Sequence, residues 1–209
     1  MQNFDTGRIL HFGAYLGVNN LGFKVIQNGD FNTLDSIYVF EVRSRPGFNL
    51  GIVSDLHLGD GLDLRCLPAL SFGQRDIEYS VFDKTGELYT ETRQVESTFA
   101  EIPLLLKYKS SRLVNARVYL LGGGKVSYDF ASNKKVHFSD KSVVRLTRLD
   151  WGYEFGFGMD FYLQFFKFSP EIRVYHGTRD VLINDNTFRT TSIDKLLSRS
   201  VMFSFTFEG

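Results

Sequence analysis

Between Leu149 and Leu163 the chain reads LDWGYEFGFGMDFYL, and its alternate positions have opposite chemistry. Leu149, Trp151, Tyr153, Phe155, Phe157, Met159, Phe161 and Leu163 are apolar or aromatic. Asp150, Gly152, Glu154, Gly156, Gly158, Asp160 and Tyr162, between them, are small, acidic or hydroxylated. Successive side chains of a strand point to opposite faces, so this stretch is a strand with one apolar wall and one polar wall. Glycines spaced between acids suit a crowded interior. Large rings at both ends of the apolar wall suit the aromatic girdles of a bilayer-spanning barrel. A soluble ligand-binding barrel would turn the apolar wall inward, but 21 Phe, 10 Tyr and one Trp are more than a small lumen holds.

The same parity recurs at about 10–18, 47–58, 62–72, 96–108, 116–130, 167–176 and 199–207, which with 149–163 makes eight strands. Each is long enough to cross a bilayer at a tilt. The links alternate long and short. Gly59-Asp60-Gly61, residues 109–115 and residues 164–166 read as tight turns; Asn19-Asn20 and Asn28-Gly29-Asp30 are turn signals in a long first link. Residues 36–45 read as a rim extension of the second strand. Residues 74–95, 131–148 and 177–198 read as long loops. The first has room for a protruding hairpin, and the last for a helical turn over Ser192–Leu197. The expected fold is all-β: one domain over 1–209, an eight-stranded antiparallel up-and-down transmembrane barrel with a polar filled lumen, short periplasmic turns and long outer loops. Pro68, Pro103 and Pro170 fall inside these strands, where a closed sheet has no free edge for them, and bulges or strand ends near the rim are the expected accommodation.

On the polar face the acids are Asp55, Glu101, Asp129, Glu154, Asp160 and Glu171, and the bases are Arg65, Lys107, Arg117, Lys125 and Arg173. Buried charges persist when paired, so this set is expected to be a self-neutralising plug. Asp150, Glu154 and Asp160 are expected to meet bases such as Arg117 and Arg173 across it. Phe48, Leu50, Ile52, Leu104, Leu106, Trp151, Phe155, Phe157, Phe161, Phe203 and Phe205 are expected to face lipid.

Other function classes find little here. Lys and Arg total 24 against 24 Asp and Glu, so no electrostatic footprint for nucleic acid appears. No apolar run is long enough for a membrane helix. Cys66 is alone, which excludes an internal disulfide and a cysteine-based metal site. Gly122-Gly123-Gly124-Lys125 is followed by Val126 and lies in a strand, so it is not a phosphate loop. His11, His57, His137 and His176 lack metal-ligand spacing, and His57 with Asp55 reads as a buried ion pair. No G-x-S-x-G occurs. No catalytic, metal or cofactor site and no small-molecule substrate are therefore expected. MQNFDTGRIL lacks a secretory leader; the expectation is a mature chain, its leader removed and Met1 added or retained, in the bacterial outer membrane.

Five blocks resemble the PorT family of outer-membrane barrels in the type IX secretion system. They are Pro46-Gly47-Phe48-Asn49-Leu50-Gly51, LPALSFGQRDIEY (Leu67–Tyr79), ESTFAEIPLLLKYKS (Glu96–Ser110), GFGMDFYL (Gly156–Leu163) and KFSPEIR (Lys167–Arg173). The resemblance implies a non-enzymatic part in gliding-associated protein export, with outer-membrane lipid and other secretion-system proteins as partners. It brings no catalytic residues. An adhesin or surface-binding barrel acting through its long loops is the alternative, and a lipid-modifying enzyme a third reading.

Overall fold

The computed structural model describes residues 9–27, 37–82, 88–130, 145–183 and 193–209. The strands are β1 (Leu10–Gln27), β2 (Ile37–Ser44), β3 (Pro46–Gly59), β4 (Leu62–Cys66), β5 (Ala69–Phe82), β6 (Leu88–Lys109), β7 (Ala116–Asp129), β8 (Arg145–Leu146), β9 (Leu149–Tyr162), β10 (Lys167–Asp180), β11 (Leu182–Ile183) and β12 (Ile193–Glu208). β1 pairs with β12 on one side and β3 on the other, every ladder is antiparallel, and the sheet closes on itself. With β2–β3 and β4–β5 each forming one broken wall, the result is a closed eight-stranded barrel.

Parity builds it. Along β9 the odd residues are exposed from Leu149 to Phe157 and at Phe161, while Asp150, Glu154 and Asp160 are buried. Gly59-Asp60-Gly61 closes the β3–β4 turn, and the links at 110–115 and 163–166 are also short. These turns lie at one rim with the start of β1 and the end of β12, because Gly13 of β1 is opposite Glu208 of β12.

The far rim differs from expectation. Asn19 and Asn20 are strand residues, part of a β1 ladder that runs on to Gln27. Of residues 74–95, read as a loop with room for a protruding hairpin, 74–82 and 88–95 form that hairpin: the β5–β6 ladder continues from Ala69↔Glu101 to Phe82↔Leu88, and β2 adds to its edge. No helical turn forms in Ile193–Leu197, which opens β12. The strands set at 10–18, 96–108, 167–176 and 199–207 all extend further, while 62–72 is broken at Leu67–Pro68. Phe130 and Leu163 lie just past the ends of β7 and β9. Beyond the continuous apolar layer the outward positions turn mixed, as at Asn20, Lys24 and Arg199, and the two-residue hydrophobic signal weakens although the hydrogen bonding continues. Asn28-Gly29-Asp30, His137 and most of 131–148 lie outside the described residues.

Pro68 and Pro103 are absorbed in the middle of the wall, at a strand break, while Pro170 lies near the short-turn rim, three residues into β10. A residue's N–H and C=O address the same neighbour in an antiparallel strand. Leu67 N donates to Pro103 O at 3.2 Å, so the missing donor of Pro103 points into the β4–β5 break. Pro68 lies in that break, and its carbonyl accepts from Ile52 N at 3.0 Å. Pro170 sits where the β9–β10 ladder skips from Phe168↔Phe161 to Glu171↔Gly158, while its β12 ladder is unbroken.

Candidate functional site: a charge-filled lumen

Inside the barrel, side chains from distant strands form a stack of ion pairs. Nearest the short-turn rim, Lys109 Nζ is 2.7 Å from Asp63, and His57 Nδ1 lies 2.8 Å from the same carboxylate. Lys167 Nζ meets Glu208 at 2.5 Å. Above them Arg65 is surrounded by three carboxylates. Its Nε donates to Asp55 at 2.7 Å, its second terminal nitrogen donates to Asp55 at 2.6 Å and Glu208 at 2.7 Å, and its first contacts Glu171. Lys107 Nζ reaches Asp160 at 2.9 Å and stands 3.9 Å over the Tyr119 ring. The Tyr119 hydroxyl donates to Glu171 at 2.7 Å, and Ser169 donates to Asp160 at 2.6 Å.

Higher up, Arg173 donates to Glu154 at 2.9 Å, and Lys125 donates to Glu101 at 3.1 Å while lying 3.9 Å over the Tyr175 ring. Tyr175 donates to Asp150 at 3.1 Å. A neutral triad completes this level: Asn19 donates to Asn49 at 2.5 Å and Ser71 at 3.0 Å. Between the layers Tyr15, Val53, Leu67, Leu105, Leu121 and Met202 form a small apolar core. Arg65 and Lys107 have no exposure at all, and Glu154, Glu171 and Arg173 have 1% each.

Gly156 and Gly158 make this density possible. A Cβ at Gly158 would stand 2.4 Å from the Tyr119 ring, and one at Gly156 2.7 Å from Arg173 Cγ. Neighbouring lumen side chains lie flat on bare backbone at both positions.

Asp55, Arg65, Glu101, Lys107, Lys125, Asp129, Glu154, Asp160, Glu171 and Arg173 are all buried inside the barrel, and Arg117 is half-buried. Asp160 meets a base, Lys107, and stands opposite Arg117 on the β7–β9 ladder, and Glu154 meets Arg173. The partners differ from expectation in two places. Asp150 meets a tyrosine rather than a base. His57 pairs with Asp63 instead of Asp55, because the register shift between His57 and Gly59 sets His57 opposite Asp63 and Asp55 opposite Arg65. The sequence reading missed Lys167 and Glu208 as network members, and it missed the lumen tyrosines and the asparagine pair. All but Glu208 lay on faces it had marked as polar or in stretches it had marked as turns.

Phe48, Leu50, Ile52, Leu104, Leu106, Trp151, Phe155, Phe157, Phe161, Phe203 and Phe205 all stand exposed on the outer wall. The arrangement is a salt-bridged plug. Above it a recess of about 300 Å³, counting the open solvent in its mouth, is lined by Glu101, Lys125, Ser127, Asp150 and Tyr175. Among the described residues no group of three or more His, Cys, Asp or Glu is placed to hold a metal ion.

Residues 2–182 match the family model described as outer membrane protein beta-barrel domain. The chain belongs to that family. β12, which closes the ladder, lies beyond the matched residues. This outer-membrane barrel is similar in structure to OprG of Pseudomonas aeruginosa, at 11% identity and TM-score 0.49, over 95% of this chain and 91% of that one. It is similar to the outer membrane protein AlkL in lipid bilayers, at 12% identity and TM-score 0.49, over 100% and 95%. It is also similar to Ail, the attachment invasion locus protein of Yersinia pestis, at 12% identity and TM-score 0.44, over 97% and 100%. No curated protein matches the chain. As an outer-membrane barrel it contacts lipid with its outer wall and hydrogen-bonds its whole span internally.

Proposed function

We propose that this outer-membrane barrel is a non-enzymatic component of the type IX secretion machinery, serving gliding-associated protein export by contact and not by conduction. The lumen carries the reading of contact. Arg65 and Lys107 are wholly enclosed by their counter-ions, so the centre is too full for a polypeptide to pass. Support for secretion comes from the blocks Pro46–Gly51, Leu67–Tyr79, Glu96–Ser110, Gly156–Leu163 and Lys167–Arg173, which resemble the PorT family in order and spacing. The whole chain works as one barrel. Its lumen charges hold the wall together and do no chemistry; Phe48, Leu50, Trp151, Phe155 and Phe203 face lipid. Other secretion-system proteins meet it at its rims or on its outer wall.

Deleting the gene tests this. Type IX cargo should fail to reach the surface and medium while resistance to detergents is unchanged; normal export overturns the proposal. A second reading, a surface-binding barrel, is favoured by the β5–β6 hairpin, whose ladder rises to Phe82↔Leu88. Removing that hairpin would then abolish attachment and spare export.

A further inference from the structure

At the far rim the outer wall changes chemistry. The unbroken outward apolar row ends at Val18 on β1, at Val201 on β12 and at Val174 on β10. Beyond it the outward positions are mixed: Asn20, Gly22 and Lys24 on β1, Arg199, Leu197 and Lys195 on β12, and His176 on β10. Register sets these side by side. Lys24 is opposite Leu197, which puts Lys195 and Arg199 on its two diagonals, about 7–8 Å away on the same face. Arg199 is opposite His176, and His176 is opposite Tyr153, with ring centroids 5.4 Å apart. Next along the wall, the guanidinium of Arg179 lies 4.5 Å over the Trp151 ring.

The lumen pairs its bases, as at Arg65, Lys107 and Lys125. Among the described residues this outer cluster contains no acid that does the same. Asp180 is opposite Leu197 from the β10 side, so it too has Lys195 and Arg199 on its diagonals. One of its oxygens is occupied by the amides of Leu182 and Leu196, at 3.0 Å each, and among the described residues it forms no ion pair with either base. The cluster is continuous with the lipid-facing wall, and Trp151 and Tyr153 mark the headgroup level, where aromatic side chains gather.

We infer that Lys24, Lys195 and Arg199, flanked by Arg179, form a binding surface for the phosphate groups of an anionic lipid headgroup in the leaflet at that rim. Clustered cations beside a membrane-spanning wall recognise such headgroups by charge, and two or three bases at this spacing can share one phosphorylated headgroup. The site does not rest on the secretion reading and survives its failure.

The test uses the full chain in phosphatidylcholine nanodiscs doped with lipid A, either carrying both phosphates or enzymatically dephosphorylated. Retained lipid is read by native mass spectrometry. The wild type should retain the phosphorylated form about tenfold or more over the other. Combined Lys24→Gln, Lys195→Gln and Arg199→Gln should erase that preference without changing heat-modifiable migration, and Arg112→Gln at the opposite rim should keep it. Equal retention of the two lipids by the wild type overturns the inference whether or not the triple variant folds. So does a triple variant that keeps the preference. Inorganic phosphate displacing the lipid at equal concentration overturns it too, since the site would then serve free anions.

Discussion

Arg65 is the residue on which the lumen turns. It has three carboxylate partners and no exposure, so replacing it strands charges that water cannot reach. Arg65→Met should cost about 3–5 kcal/mol, read as a lower urea midpoint by heat-modifiable gel migration. Glu154→Gln removes charge from the partner of Arg173 and Lys125 and should cost about 1–3 kcal/mol in the same assay. Gly158→Ala should cost a similar amount, about 1–3 kcal/mol, by displacing the Tyr119 ring from its bond to Glu171. The polar face was legible in the sequence because parity alone decides it. The pairings were only partly so. Arg65 with Asp55 follows from the hairpin register about the Gly59–Gly61 turn. Arg65 with Glu171 depends on the width of the barrel and on how far every strand is staggered, which no local pattern encodes. His57 went to Asp63 because a single register shift moved it one partner along.

At the scale of the strand, the transmembrane parts were readable and the extensions were not. Leu149–Tyr162 alternates cleanly because one wall is in lipid and the other in the lumen. Residues 75–82 and 88–96 keep the same ladder, but charged residues interrupt the apolar row of Ile77, Tyr79, Val81, Tyr89 and Val95, so the alternation there supports a hairpin only as an alternative to a loop. Asn19 carries a turn signal for a related reason: asparagine is equally suited to capping a turn and to bonding a second amide, here Asn49, inside a lumen. If the barrel's stability resides below the rim, replacing 76–94 with a two-residue turn should leave the urea midpoint within about 1 kcal/mol of wild type. A larger drop would mean the hairpin helps hold the wall closed.

For the molecule as a whole, a lumen filled at Arg65, Lys107, Glu171 and Arg173 should not conduct. Purified protein in planar bilayers should give no steady single-channel current; a stable open level would contradict the plug. The chain should also migrate faster unheated than boiled in SDS, as a sheet without edges resists the detergent. The network has a kinetic side as well. Arg65 bonds Asp55 ten positions away, but Glu171 and Glu208 at separations of 106 and 143. An open, partly assembled sheet can make the first contact and none of the others, so it holds cations and carboxylates with nowhere to go. Loop closure over such distances is slow. The reward for it arrives all at once, when β12 docks on β1. The ion stack therefore works as a latch: it destabilises every half-built sheet and makes the last strand's arrival decisive.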